Sequence, residues 1–269
     1  MKQIIKKFFV SLSILIVVLT TNKASSQELV DIKIMKAYIE SVYSNVTAYP
    51  SKSEIVSRLE KINEILQTNS SSAEIFAYKS TLNGILQNYE ESIKDADKAI
   101  ELNPGYAEVY HLRGIAEKEL GKYVKAMKDY NKAIKLNPKA EGAYNSRGVL
   151  WQLFGFQKEA IQDYNKAIEL NPNNSNFYVN RGLSYGASKK YNEAFEDYSM
   201  AIKLNPDDPR VHSERGFLFV QAGQYDSALA DLNRVIELAP NSFVTYTDIA
   251  FIKINHISGV LSCVLSNLT

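Results

Sequence analysis

The sequence repeats itself every 34 residues over its central part. Leu-Asn-Pro stands at residues 102–104, 136–138, 170–172 and 204–206, and Leu-Ala-Pro follows at 238–240. Proline disfavours helical geometry in the residue before it and lacks an amide hydrogen, so each recurrence marks the end of a helix. Self-similarity at this period is typical of stacked units. It defines five units, at residues 73–106, 107–140, 141–174, 175–208 and 209–242.

Each unit has the pattern of two amphipathic helices. In the second unit, apolar residues from Ala107 to Leu120 recur at helical spacing, and Gly121 allows the chain to turn. A second series runs from Tyr123 to Ile134. Glycine recurs at the eighth position of four units, although it costs about 0.5–1 kcal/mol relative to alanine inside a helix. We therefore predict an all-α fold in which paired helices approach closely and successive pairs stack.

The recurring residue types resemble those of the tetratricopeptide repeat (TPR) family. That family has aromatic residues at positions 4, 11 and 24, glycine at 8, alanine at 20 and 27, and proline at 32. The third unit matches throughout, with Tyr144, Gly148, Trp151, Ala160, Tyr164, Ala167 and Pro172. The first unit departs most, since Ser80 replaces the glycine and Ala96 the third aromatic residue. The resemblance implies a right-handed superhelical solenoid of helix-turn-helix units that acts as a non-enzymatic protein-binding scaffold.

The two ends of the chain are less regular. Residues 1–26 have the layout of a secretory signal peptide, with a basic start, an apolar stretch from Phe8 to Leu19 and small residues before Gln27. We therefore predict export, to the periplasm or the extracellular space; the alternative is an uncleaved anchor that holds the chain on a membrane, facing outside. Residues 27–72 are predicted to form an N-terminal helical cap or a degenerate repeat, in which Ser53 is the N-cap of one helix. Residues 243–269 are predicted to form a partial sixth repeat or a C-terminal capping helix.

Composition argues against several classes of function. The 31 basic and 30 acidic residues give a net charge of +1, which provides no basic excess for nucleic acid. One cysteine and three histidines make a metal site improbable, and no phosphate-binding motif is present. The tyrosines fall mostly at positions 4, 11, 17 and 24, which the helix pattern turns inward. We predict no cofactor and no nucleic-acid partner.

Charged residues also recur at the repeat period. Aspartate occupies position 23 of all five units and arginine position 7 of four, namely Asp95, Asp129, Asp163, Asp197 and Asp231 with Arg113, Arg147, Arg181 and Arg215. Catalysis needs one site with perturbed groups, whereas these recur through the whole array. We therefore predict a structural ladder of arginine–aspartate contacts, or solvated faces, and no enzyme.

The resemblance further implies a groove lined by the first helix of each unit. Its positions 2, 5, 6, 9, 12 and 13 include His111, Leu112, Ile115, Asn145, Ser146, Val149, Gln152, Asn176, Val179, Asn180, Leu183, Arg210, Ser213 and Phe217. Apolar side chains beside amides suit a protein or peptide segment whose backbone hydrogen-bonds the amides. The basic clamp with which some family members hold acidic chaperone tails is missing, because Val149 and Glu214 stand at two of its positions.

Two other functions remain open. The chain could be a structural or membrane-associated assembly module, held by an uncleaved N-terminal anchor and the apolar tail. It could also be the binding domain of an enzyme whose catalytic part lies on another chain. A membrane partner is expected only if the N-terminal segment is uncleaved.

Overall fold

The computed structural model describes residues 51–68, 72–240 and 249. These residues form eleven α-helices and no β-strand. The helices are α1 (Lys52–Thr68), α2 (Ala73–Ile85), α3 (Tyr89–Leu102), α4 (Ala107–Glu119), α5 (Tyr123–Leu136), α6 (Glu141–Leu153), α7 (Gln157–Leu170), α8 (Ser175–Ala187), α9 (Tyr191–Leu204), α10 (Pro209–Gln221) and α11 (Tyr225–Leu238). The predictions for residues 1–50, and for 243–269 apart from residue 249, lie outside the described residues.

The helices follow the period of the sequence. The first helix of each pair begins at residue 73, 107, 141, 175 or 209, and the second at 89, 123, 157, 191 or 225. Gly121, Gly155 and Gly223 make the turn between paired helices with φ of 71°, 82° and 72°, a conformation that costs glycine little. The predicted all-α solenoid class of stacked helix pairs is confirmed.

The helices form two compact halves, and the N-terminal half extends to Pro138. Here α1 packs on α2, because Ile55 and Ile62 form one apolar cluster with Ile75 and Leu82. The predicted cap Ser53 is wrong: α1 already begins at Lys52, and the hydroxyl of Ser51 accepts a hydrogen bond from the backbone N of Glu54 at 3.2 Å. A capping side chain must precede the first helical residue, as Ser51 does.

The C-terminal half begins at Lys139. Its best-defined core joins α8, α9 and α10 through Tyr178, Val179, Ala194, Tyr198, Ala201 and Val211. A second cluster joins Ala228 and Leu232 of α11 with Ile249. Within each half, apolar clusters lie between paired helices and against the neighbouring pair, which neither helix could achieve alone.

The predicted close approach at the eighth position is confirmed. A Cβ atom added to Gly148 would lie 2.7 Å from Cε1 of Tyr164, and Gly114 and Gly182 face Tyr130 and Tyr198 in the same way. In the fifth pair leucine replaces the tyrosine, and a Cβ at Gly216 would lie 3.4 Å from its nearest neighbour, Cγ of that leucine.

In the first pair of helices, different residues fill the space between positions 8 and 24. Ala96 replaces the tyrosine ring, and the space is used by Ser80, whose hydroxyl donates to the carbonyl oxygen of Ser92 at 2.8 Å. The hydroxyl of Ser92 donates in return to the carbonyl oxygen of Ser80 at 2.9 Å. The size of the side chain at position 24 of a unit therefore limits which residue fits at position 8.

Candidate functional site

In the C-terminal half, the first helices of successive pairs share one face. The side-chain amide of Asn180 on α8 donates to Oδ1 of Asn145 on α6 at 2.8 Å. Nη2 of Arg210 on α10 donates to Oδ1 of Asn176 on α8 at 3.2 Å. We call this surface the first-helix face; it comprises Asn145, Ser146, Val149, Gln152, Asn176, Asn180, Leu183, Arg210, Ser213, Glu214 and Phe217.

The first-helix face combines amides with apolar side chains. Phe217 is 59% exposed, and Val149 and Leu183 are half-buried. Oε1 of Gln152 accepts a hydrogen bond from the hydroxyl of Tyr164 at 2.9 Å, so one of its polar atoms already has a partner. Val179 is only 5% exposed and lies beneath the face as part of the core.

The three predicted groove residues of the N-terminal half lie on α4. Leu112 and Ile115 are half-buried. His111 is buried, with its ring centroid 5.8 Å from that of Tyr130. The accessible polar groups predicted for the groove therefore lie in the C-terminal half.

The predicted arginine–aspartate ladder is present within each of four pairs. Nε and Nη2 of Arg147 donate to the two carboxylate oxygens of Asp163 at 2.8 and 2.6 Å. The same two-point contact joins Arg113 to Asp129, Arg181 to Asp197 and Arg215 to Asp231. The aspartates are buried, so these pairs connect the two helices of a unit and are structural.

In the second, fourth and fifth units, the fourth position holds a polar ring that contacts the preceding unit. The hydroxyl of Tyr178 donates to the carbonyl oxygen of Pro172 at 3.1 Å, and that of Tyr110 to Pro104 at 3.2 Å. His212 replaces the tyrosine in the fifth unit, with Nε2 3.0 Å from the carbonyl oxygen of Pro206. This histidine therefore occupies a packing position.

The second helices depart from the prediction at position 17. Tyr191 is 44% exposed, so the expectation that tyrosines at this position turn inward is wrong for that residue. Position 17 is the first residue of each second helix, whereas position 24 lies near the middle of that helix. Tyr130, Tyr164 and Tyr198, at position 24, are buried as predicted.

Two carboxylates lie outside the ladder, and neither was predicted from the sequence to be a site residue. Glu117 fills the aromatic position 11 of the second unit and is 6% exposed. Burial raises its pKa to about 7, and the negative charge of Asp129 adds to the effect, while Arg113 and Lys125 oppose it. Position 11 is aromatic in the third and fourth units. The glutamate at this position of the second unit was therefore the sequence feature that could have indicated a buried carboxylate.

Glu214 is the second such carboxylate, and it lies on the first-helix face. It is half-buried, and burial raises its pKa. No hydrogen-bond donor or cation pairs with it among the residues that the structure describes. The sequence signal was its position, the sixth of its unit, where the other units have tyrosine, leucine, serine and asparagine.

The described residues contain neither a membrane-spanning helix nor a metal-binding cluster. None of the helices in residues 51–68 and 72–240 combines the length and hydropathy that a membrane span requires. No group of three or more histidine, cysteine, aspartate or glutamate side chains in the same part of the chain is arranged to hold a metal ion.

Comparison with protein-family models gives four matches. Models described as tetratricopeptide repeat match residues 79–106, 107–140 and 182–253, and one described as TPR repeat matches residues 155–189. Among curated protein sequences, no significant match was found.

Solved structures resemble the fold at low sequence identity. MamA (residues 41 to the end) from Desulfovibrio magneticus RS-1 superposes with a TM-score of 0.56 at 22% identity, over 64% of this chain and 97% of its own. YrrB, described as a TPR protein with an unusual peptide-binding site, gives 0.55 at 18%, over 71% and 98%. The APC/C hetero-tetramer Cut9–Hcn1 gives a TM-score of 0.70 at 14% identity, over 90% of this chain and 46% of the other.

Proposed function

Because the chain belongs to the tetratricopeptide repeat family, we propose that it holds an extended segment of a partner protein on the first-helix face of its C-terminal half. Proteins of this family bind protein or peptide partners and are typically non-catalytic scaffolds. The repeats therefore support an interaction scaffold. The observation that carries the finer proposal is the exposed ring of Phe217 on the same face as the amides.

The amides suit the backbone of an extended peptide. Such a backbone presents N–H and C=O groups about every 3.3 Å, and a carboxamide has two donors and an acceptor that can meet either kind. The hydrogen bond between Asn180 and Asn145 uses one donor of the first and one acceptor position of the second. The remaining donors and acceptors of both side chains are available to a ligand, while Phe217 supplies apolar area.

Binding can be tested with the full-length chain and two triple variants. We expect Asn145→Ala/Asn180→Ala/Phe217→Ala to lose partners that the wild type captures from a native envelope extract. The matched control is Lys158→Ala/Gln162→Ala/Met200→Ala, on exposed positions of the second helices, which should keep them. Circular dichroism checks that both variants fold. If the first variant retained every partner, the face would not be the binding surface.

We further propose that this scaffold acts outside the cytoplasm. The support is the basic and apolar pattern of residues 1–26. The alternative is a structural or membrane-associated module held by the same segment left uncleaved. The mass of the mature N-terminus and cell fractionation distinguish them. A chain that begins after residue 26 in the soluble envelope fraction supports export, and an intact one in the membrane supports the anchor.

A further inference from the structure

We propose that Glu214 and Phe217 together receive a lysine or arginine side chain of the partner segment. This inference rests on the proposed function, because it assumes that a segment lies on the first-helix face. It adds the chemistry of the segment: a cationic residue beside uncharged, largely apolar ones. Three observations about the surroundings of Glu214 carry it.

The arginine at ion-pair spacing on the same helix already has partners. Arg210 is one helical turn before Glu214, a spacing at which an ion pair would be expected. Its Nε and Nη2 instead donate to the carboxylate of Asp208 at 3.0 and 2.6 Å, and Nη2 also contacts Asn176. Asp208 is the N-cap of α10 and is itself fixed by the backbone N of Arg210 at 3.0 Å. The charge of Arg210 is therefore directed to the N-terminus of the helix.

The neighbouring unit offers Glu214 no donor at the equivalent position. Between the third and fourth units, the residue at position 5 of one unit contacts the residue at position 6 of the next, since Asn145 contacts Asn180. One repeat later the corresponding residues are Val179 and Glu214. Valine has no donor, and Val179 is buried in the apolar core. A hydrogen bond that the repeat provides between the third and fourth units is thus absent between the fourth and fifth.

A half-buried carboxylate without a partner is unfavourable, and a cation would relieve this. Burial raises the pKa of Glu214, with no opposing contribution from a cation or a donor. Phe217 lies three residues later, on the same side of α10, and its ring is largely exposed. An aromatic face attracts a cation and also packs against the aliphatic stem of lysine or arginine. The two side chains therefore favour the same kind of group.

The rest of the face determines what flanks that cation. Position 6 is uncharged in the other units, with Tyr78, Leu112, Ser146 and Asn180. Val149 and Leu183 are half-buried aliphatic residues on α6 and α8. An acidic segment is disfavoured because Glu214 would repel it. The complementary ligand is one basic side chain next to a run of apolar or amide residues.

The test is selection from a displayed library of random twelve-residue peptides. Three full-length proteins serve as bait: the wild type, Glu214→Lys, and the control Asp226→Lys, which makes the same charge change on α11 at an exposed position. We expect the wild type and Asp226→Lys to enrich peptides with lysine or arginine beside apolar residues. Glu214→Lys should instead enrich aspartate or glutamate. Fluorescence anisotropy on a wild-type-selected peptide should show about tenfold weaker binding to Glu214→Gln.

The outcomes separate this inference from the proposed function. If all three proteins enriched peptides of the same charge composition, Glu214 would not select the ligand and the inference would be refuted. The proposed function would still stand in that case, provided that those peptides fail to bind Asn145→Ala/Asn180→Ala/Phe217→Ala. If the wild type enriched no peptide at all, the proposed function and the inference would both be refuted.

Discussion

Alanine at Gly148 should destabilise the protein although alanine is the better helix former. The added Cβ would lie 2.7, 3.0 and 3.1 Å from Cε1, Cδ1 and Cζ of Tyr164, against an optimum of about 3.5–4.0 Å between carbon atoms. The ring cannot move away easily, because it is fully buried and its hydroxyl is bonded to Gln152. Gly148→Ala therefore forces either the ring or the helix to shift.

The same substitution at Gly216 provides the control. Its Cβ would lie 3.4 Å from Cγ of Leu232, close to ordinary contact, so Gly216→Ala should gain about 0.5–1 kcal/mol from helix propensity. Gly148→Ala gains the same amount but loses about 1–3 kcal/mol to overpacking. The difference in free energy of unfolding between the two variants cancels the propensity and isolates the overpacking, about 1–3 kcal/mol.

Urea denaturation followed by circular dichroism measures this difference on the full chain. A third variant, Gly148→Ala/Tyr164→Leu, is compared with Tyr164→Leu to complete a double-mutant cycle. We expect Gly148→Ala to cost less in the Tyr164→Leu background, since leucine faces glycine in the fifth pair without a clash. Equal denaturation midpoints for Gly148→Ala and Gly216→Ala would refute the explanation of the recurring glycines.

Two further predictions concern charged residues in the core. Arg181→Met should lower the free energy of unfolding by about 3–5 kcal/mol, because it leaves the buried carboxylate of Asp197 without its bidentate partner, and Arg181→Lys by less; urea denaturation measures both. Glu117→Gln should flatten the pH dependence of stability. The folded pKa of Glu117, about 7, exceeds the ordinary glutamate value of 4.5, so wild-type stability relative to the variant falls as pH rises from 4.5 through 7, by at most about 3 kcal/mol. Thermal melts at pH 4.5 and 8 check this, and parallel pH profiles would contradict it.

Much of the fold could be read from the period alone. The five prolines end the second helices, and helix starts 34 residues apart follow the same register. The arginine at position 7 and the aspartate at position 23 meet because each pair of helices folds in the same way. These contacts lie within one unit, where sequence separation is short and identical each time, so a repeated pattern implies a repeated contact.

The candidate site was less predictable, because its contacts connect different units. The face predicted for the first helices includes Asn145 and Asn180, but their mutual hydrogen bond links residues of two units. His111 and Val179 fit the positional rule and are nevertheless buried. Helical periodicity assigns a side chain to one face, whereas its exposure depends on the size of side chains from the adjacent helix.

The repeat period and the residue types predict the helix pairs, their register and the close approach at the eighth position, and they leave the recurring charges open between a ladder and solvated faces. Which charged side chains have a partner depends on how the helices pack. Arg210 and Glu214 stand at a spacing that suits an ion pair, yet the arginine binds Asp208, and the residue of the preceding unit that corresponds to Asn145 is a valine. The physical reason is that a hydrogen bond needs both partners at a defined distance, and a linear pattern gives the direction of one side chain without the location of the other.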